Sequence, residues 1–218
     1  MNESHYREIE VKMKQIFLNF TGDLEGEYIS LVDMTRDEQN QLINEHFLFK
    51  GGDKFLQSAR SYRYWPIGRG VFMNNNKTFL IWVNSEDHLK IISMQPGGNL
   101  ASIYKRMIDG VRVLERQLTF PSSSRLGFLT FCPSNLGTTV RASVHIKLPK
   151  LSLLKEKLES VAQKYHLQYR STRVEETEPE DDVYDISNKR RLGLNEEEAI
   201  REMQDGILEI IRIEESLE

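Results

Sequence analysis

The period of the hydrophobic positions changes along the chain, and each change marks an element. Between residues 4 and 20, Ile9, Met13, Ile16, Phe17 and Phe20 share one stripe, which predicts an amphipathic helix. Tyr28 to Val32 reads as a short strand after a Gly-containing turn. Thr35 and Glu38 have capping-box spacing and open a helix that runs to about Phe47. Asp53 reads as the cap of a further short helix holding Phe55 and Leu56. Val71–Phe72, Asn74-Asn75-Asn76 and Thr78–Val83 read as strand, turn, strand, with the asparagines supplying the turn conformations. Leu89–Met94 is a further strand. Pro96-Gly97-Gly98 then breaks the pattern.

Asn99 starts the clearest helix, in which Leu100, Ile103, Met107, Val111, Leu114 and Leu118 recur at helical spacing. Leu126–Phe131 and Val140–Ile146 read as strands, Leu153–Tyr165 as a helix and Leu167–Arg173 as a strand. An acidic loop occupies 174–182, Val183–Ile186 is a strand, and Asn195 caps the last helix. Several strands run consecutively before the long helices. That order predicts an α+β fold, a large and mostly antiparallel sheet flanked by helices, in place of a doubly wound parallel sheet. No internal repeat appears and no linker divides the chain, so residues 1–218 are expected to form one domain.

Composition narrows the function classes. Hydrophobic residues make up 39% and charged residues 28%, a globular balance. A net charge of -4 argues against a nucleic-acid partner. The longest apolar runs, such as Phe79–Val83, are too short to span a bilayer, and the start, Met-Asn-Glu-Ser-His, has no apolar signal region. The single cysteine forms no internal disulfide, which fits a reducing compartment and a cytoplasmic protein.

The densest chemistry lies in Cys132-Pro133-Ser134-Asn135-Leu136-Gly137-Thr138, followed by an alternating strand. Val140, Ala142, Val144 and Ile146 fall on one face, and Arg141, Ser143, His145 and Lys147 on the other. Arg presents a planar donor fork that matches phosphate oxygens, so the polar face suits a polyphosphate. An ordinary amphipathic strand with solvated cations satisfies the same pattern.

The string from Cys132 to Thr138 with Arg141 resembles the signature of the phosphagen kinases, the ATP:guanidino phosphotransferases. Phe79-Leu80-Ile81-Trp82-Val83-Asn84, Glu86-Asp87-His88, Ile91-Ile92-Ser93-Met94-Gln95, Tyr184 to Arg191 and Met203-Gln204-Asp205-Gly206 resemble the arginine kinases in particular. The resemblance covers nearly the whole chain. It implies a catalytic domain of glutamine-synthetase-like architecture, with ATP or ADP and Mg²⁺ as nucleotide and metal, and arginine as guanidino substrate. The metal would sit mostly on phosphate oxygens and water, with no dedicated protein cage. Family members often dimerise, so a homodimer belongs to the same expectation.

Roles follow by resemblance. Glu86 matches the carboxylate that grips and deprotonates the guanidino group, Glu175 the second substrate-binding carboxylate, and Cys132 a charged partner of the guanidino group. Glu175 stands in Val174-Glu175-Glu176, where the family reads Gly-Glu-His, and a register shift to Glu176 is the alternative. The nucleotide positions are His46, Lys90, Arg141, Ala142, Ser143, Val144, His145, Arg170, Ser171, Thr172, Arg173, Val174 and Glu175. Without the resemblance, Glu86 reads as a solvated loop residue, Cys132 as a small buried hydrophobe, and each His as a satisfied structural residue.

Lys90 stands where arginine kinases place an Arg, and it keeps the charge while losing the fork. Ser85 stands where they usually place a Glu. Their upstream Ser-x-Arg-x-Arg segment and small helical domain are not found in this sequence. On these grounds the chain alone is expected to turn over arginine slowly or not at all. A catalytically impaired nucleotide-binding fragment and a protein-arginine kinase are the competing expectations.

Overall fold

The computed structural model describes residues 2–49, 57–59, 62–171 and 182–217. The short helix expected at Asp53, and Thr172, Arg173, Val174 and Glu175, lie outside the described residues. The chain divides into two compact units, Met1–Phe120 and Pro121–Glu218. The fold is α+β, with antiparallel sheets and five α-helices among the described residues.

In the first unit, α1 (Glu3–Phe17) starts at Asn2, whose side chain accepts from His5 N in a capping box. α2 (Arg36–Asn44) starts at the expected Thr35–Glu38 box. Strands β1 (Gly26–Ser30), β2 (Gly70–Asn74), β3 (Phe79–Val83) and β4 (Leu89–Ser93) form an antiparallel sheet in that order. β1 ends before Val32 because Asp33 N donates to Ser30 O at 3.1 Å, a turn that takes the chain off the sheet. The β2–β3 turn rests on the Asn74 side chain, which accepts from Thr78 N and Phe79 N at 2.8 Å each. The left-handed residue there is Lys77, φ 54°, and not one of the three asparagines.

The unbroken apolar run of β3 has a packing reason, for both faces of the strand are covered. Phe79, Ile81 and Val83 join Met13, Ile16 and Phe17 of α1 and Leu114 of α3 (Leu100–Glu115). Leu80 and Trp82 face Leu31, Met34, Leu48 and Phe49. α3 lies close enough that a Cβ at Gly110 would meet Phe79 Cζ at 2.3 Å.

The second unit holds a two-residue ribbon, β5 (Ser122–Ser123) and β6 (Gly127–Phe128), and a sheet of β7 (Ser143–Lys147), β8 (Leu167–Ser171) and β9 (Val183–Asn188) in the order β7-β9-β8. The strand expected at Leu126–Phe131 shrinks to β6, where Gly127 turns at φ 67° and Phe128 N bonds Gly137 O. The strand expected from Val140 starts at Ser143. Upstream, the Asn188 side chain takes the backbone groups a ladder would use, accepting from Ala142 N at 2.8 Å and donating to Val140 O at 3.1 Å.

One face of this sheet packs on α4 (Lys155–Lys164) and α5 (Glu196–Ser216) through Tyr184, Ile186, Leu158, Val161, Met203 and Ile207. Burying each large apolar side chain contributes about 1.5–3 kcal/mol. α5 opens at the expected Asn195, in a capping box with Glu198. No helix among the described residues is long and apolar enough to cross a membrane.

Candidate functional site

Glu86 sits half-buried in the loop Asn84–His88 between β3 and β4. That loop is built at Asn84, which takes φ 55°, a left-handed conformation that Asn tolerates better than most residues. Its N–H closes the loop on His88 O at 2.8 Å, and its buried side chain donates to Gly68 O at 2.6 Å and Tyr6 O at 3.2 Å. The next residue, Ser85, is buried, and its hydroxyl has no hydrogen-bond partner among the described residues.

Trp82 links two further positions. Its Nε1 donates to Phe47 O at 2.8 Å, next to His46, and its ring lies under Lys90 Nζ at 4.9 Å from the centroid. Trp82 and Lys90 are directly paired across β3 and β4, so the strand register brings the cation to the ring. His46 is exposed, at φ 62°, just beyond α2.

In the second unit the alternation along β7 is as expected: Arg141, Ser143, His145 and Lys147 are exposed, while Ala142, Val144 and Ile146 pack on the core. β9 completes the open face. Asp185 lies directly between His145 of β7 and exposed Arg170 of β8. Arg141 Nη2 donates to Asp185 Oδ2 at 2.8 Å, and His145 Nε2 lies 3.9 Å from Oδ1. Ser171 ends β8, and the positions expected beyond it to meet the nucleotide lie outside the described residues.

Cys132 precedes a 3-10 turn, Pro133–Asn135, with Sγ 3.0 Å from Ser134 Oγ. Arg191 supports this turn by donating from Nη1 to Ser134 O at 3.0 Å, while its backbone carbonyl accepts from Thr138 N. Burial lowers the Arg191 pKa, the Arg141 charge acts in the same direction, and Cys132 opposes both.

Asn84, Asp185 and Arg191 lie inside the quoted motifs, but the sequence reading assigned them no role. Asp185 had a signal, since it is a lone charge between Tyr184 and Ile186, both core-facing in β9. Arg191 was hidden in a run, Lys189-Arg190-Arg191, that reads as a solvated surface.

Antiparallel sheets backed by helices, a carboxylate on a shaped loop and a cation-lined strand face are the parts of an α+β phosphotransferase domain. Comparison makes the class specific. Residues 8–217 match the model of the ATP:guanido phosphotransferase C-terminal catalytic domain, and the chain belongs to that family. It is 58% identical over 218 residues to the arginine kinase Cal b 2.0101 of Callinectes bellicosus, covering all of this chain and 61% of that protein. The duplicated taurocyamine kinase of Schistosoma mansoni, solved with transition-state-analogue components, superposes with a TM-score of 0.93 at 45% identity, over 98% of this chain and 30% of the other. Lombricine kinase superposes with a TM-score of 0.90 at 40% identity, over 99% and 60% respectively.

Proposed function

We propose that the chain catalyses reversible phosphoryl transfer between MgATP and the guanidino group of L-arginine, an energy-buffering reaction. The observation that carries this reading is its 58% identity with the Callinectes arginine kinase over all 218 residues, against 45% and 40% for the taurocyamine and lombricine kinases.

Phosphoryl transfer needs positioning and charge neutralisation more than covalent chemistry. Glu86 accepts guanidinium N–H bonds and takes the proton as the nitrogen attacks the γ-phosphorus and the bond to ADP breaks. Cys132 Sγ faces the positive charge of the guanidino group and forms no phosphocysteine. Glu175 is the second carboxylate in this reading. Arg141, Arg170 and Arg173 hold phosphate oxygens, and Lys90 does so as a point charge. Ala142, Ser143 and Val144, with Ser171, Thr172 and Val174, line the nucleotide. His46 and His145 pack against the adenosine. Mg²⁺ enters as part of the nucleotide substrate and is held mainly by phosphate and water.

We place the domain at 1–218 and the protein in the cytoplasm, where its one free cysteine stays reduced. A homodimer is part of the proposal, read out by sedimentation. The reaction itself is tested by incubating the protein with MgATP and, separately, arginine, taurocyamine, lombricine or an arginine-rich protein. Phosphoarginine is the expected main product. Preferential labelling of another guanidino compound, or of protein arginines, contradicts the reading.

A further inference from the structure

We infer that Asp185 is a positioning residue that aims the Arg141 guanidinium at the nucleotide phosphates without touching them. The inference deepens the nucleotide-site reading above and rests on it.

A carboxylate in the middle of a face meant for phosphates is a repulsive element, so its presence calls for a reason. Asp185 sits on the central strand of its sheet, with His145 and Arg170 as its direct cross-strand partners. Its Oδ2 is taken by Arg141 Nη2 at 2.8 Å. Oδ1 is buried and accepts no hydrogen bond among the described residues, with His145 Nε2 3.9 Å away. Arg141 itself lies just outside the ladder, two residues before β7, where the Asn188 side chain holds the backbone of its neighbours Val140 and Ala142. The side chain is 41% exposed, and Asp185 is its one ion-pair partner among the described residues.

The contact uses one edge of the guanidinium. Nη2 keeps its second N–H, and Nη1 and Nε have no hydrogen-bond partner among the described residues, so one two-donor edge of the shape that phosphate oxygens accept remains open. A long cation held by one edge loses less freedom when the other edge binds. Arg191 supplies a second reason. Its charge is close enough to Arg141 to act on it, and it is fixed on Ser134 O. Like charges would drive the exposed Arg141 side chain away, and Asp185 on the strand face holds it back.

A carboxylate that merely completes a surface ion pair would contribute little and would act independently of nucleotide. The two roles separate in a double-mutant cycle on ADP affinity, measured by calorimetry on the 218-residue protein with Mg²⁺ present. Asp185→Ala is expected to weaken ADP binding about tenfold, the loss of one charge-assisted hydrogen bond. Asp185→Asn keeps an acceptor and the shape, and is expected to recover part of that loss. In an Arg141→Ala background, Asp185→Ala should change the affinity by less than about twofold, since no fork remains to aim.

Equal loss in both backgrounds makes Asp185 structural and overturns the inference. So does unchanged or tighter ADP binding by Asp185→Ala, which leaves the carboxylate as a repulsive element only. If Asp185→Ala does not fold, the isosteric Asp185→Asn carries the same cycle. Failure of the unaltered protein to bind ADP defeats the nucleotide reading, and the inference with it. Binding without coupling to Arg141 defeats the inference alone.

Discussion

Glu86 depends on a neighbour for its shape. Asn84 combines a left-handed backbone with side-chain bonds to Tyr6 O and Gly68 O, so it fixes both the curvature and the anchorage of the loop. The two contributions separate by substitution. Asn84→Gly keeps the backbone conformation and loses the bonds, while Asn84→Ala loses the bonds and adds left-handed strain. We expect both variants to melt earlier, with the Ala variant about 1 kcal/mol less stable than the Gly variant. Equal melting of the two would show that the backbone conformation contributes nothing. Glu86 and Cys132 stand out in the sequence as candidates only through the motifs around them, since a loop Glu and a lone Cys carry no signal of their own. Asn84, Asp185 and Arg191 act through contacts distant in the chain, such as Asn84 with Gly68 and Arg191 with Ser134, and such contacts leave no periodic trace.

At the scale of elements, α1 is tied to β1 by a polar network inside an otherwise apolar interface. Glu10 Oε1 accepts from Ser30 Oγ at 2.6 Å and from Tyr28 Oη at 3.1 Å, and Lys14 lies 3.3 Å from it. Burial, and then the Glu10 charge, push the Tyr28 hydroxyl far above its ordinary pKa of 10.0. The folded protein therefore keeps a proton that the unfolded chain releases above pH 10. This contribution to stability is complete below pH 10 and declines as the pH rises beyond it. Melting midpoints followed from pH 8 to 11 should fall on the alkaline side. Tyr28→Phe should cost about 1 kcal/mol at neutral pH and flatten that fall. An unchanged alkaline slope in the variant would remove Tyr28 from the account, leaving Tyr169, whose burial also raises its pKa.

Helices were the more legible elements. The Thr35–Glu38 and Asn195–Glu198 boxes and the cap at Asn99 appear where the sequence places them, because capping is local. Strand ends were read less well. Asn188 terminates the β7 ladder from 46 residues away, a contact that no local pattern announces.

For the molecule as a whole, the α+β class follows from the order of strands and helices, and the family from motifs spread along the chain. Among the described residues the strands fall into a four-stranded and a three-stranded sheet with a short ribbon. Element order alone does not reveal that distribution, because pairing partners are set by long-range packing. The chain spans 61% of the Callinectes arginine kinase, so its own activity is the central claim to test. The most direct measurement is phosphoarginine formation from MgATP and arginine by the purified 218-residue protein, followed by phosphorus NMR beside Glu86→Gln. That substitution keeps the size of the side chain and removes the proposed base. The account predicts slow but measurable phosphoarginine formation by the unaltered protein and at least a hundredfold slower formation in the variant, roughly the worth of a positioned base. Equal rates in the two proteins, or no product from either, would contradict it.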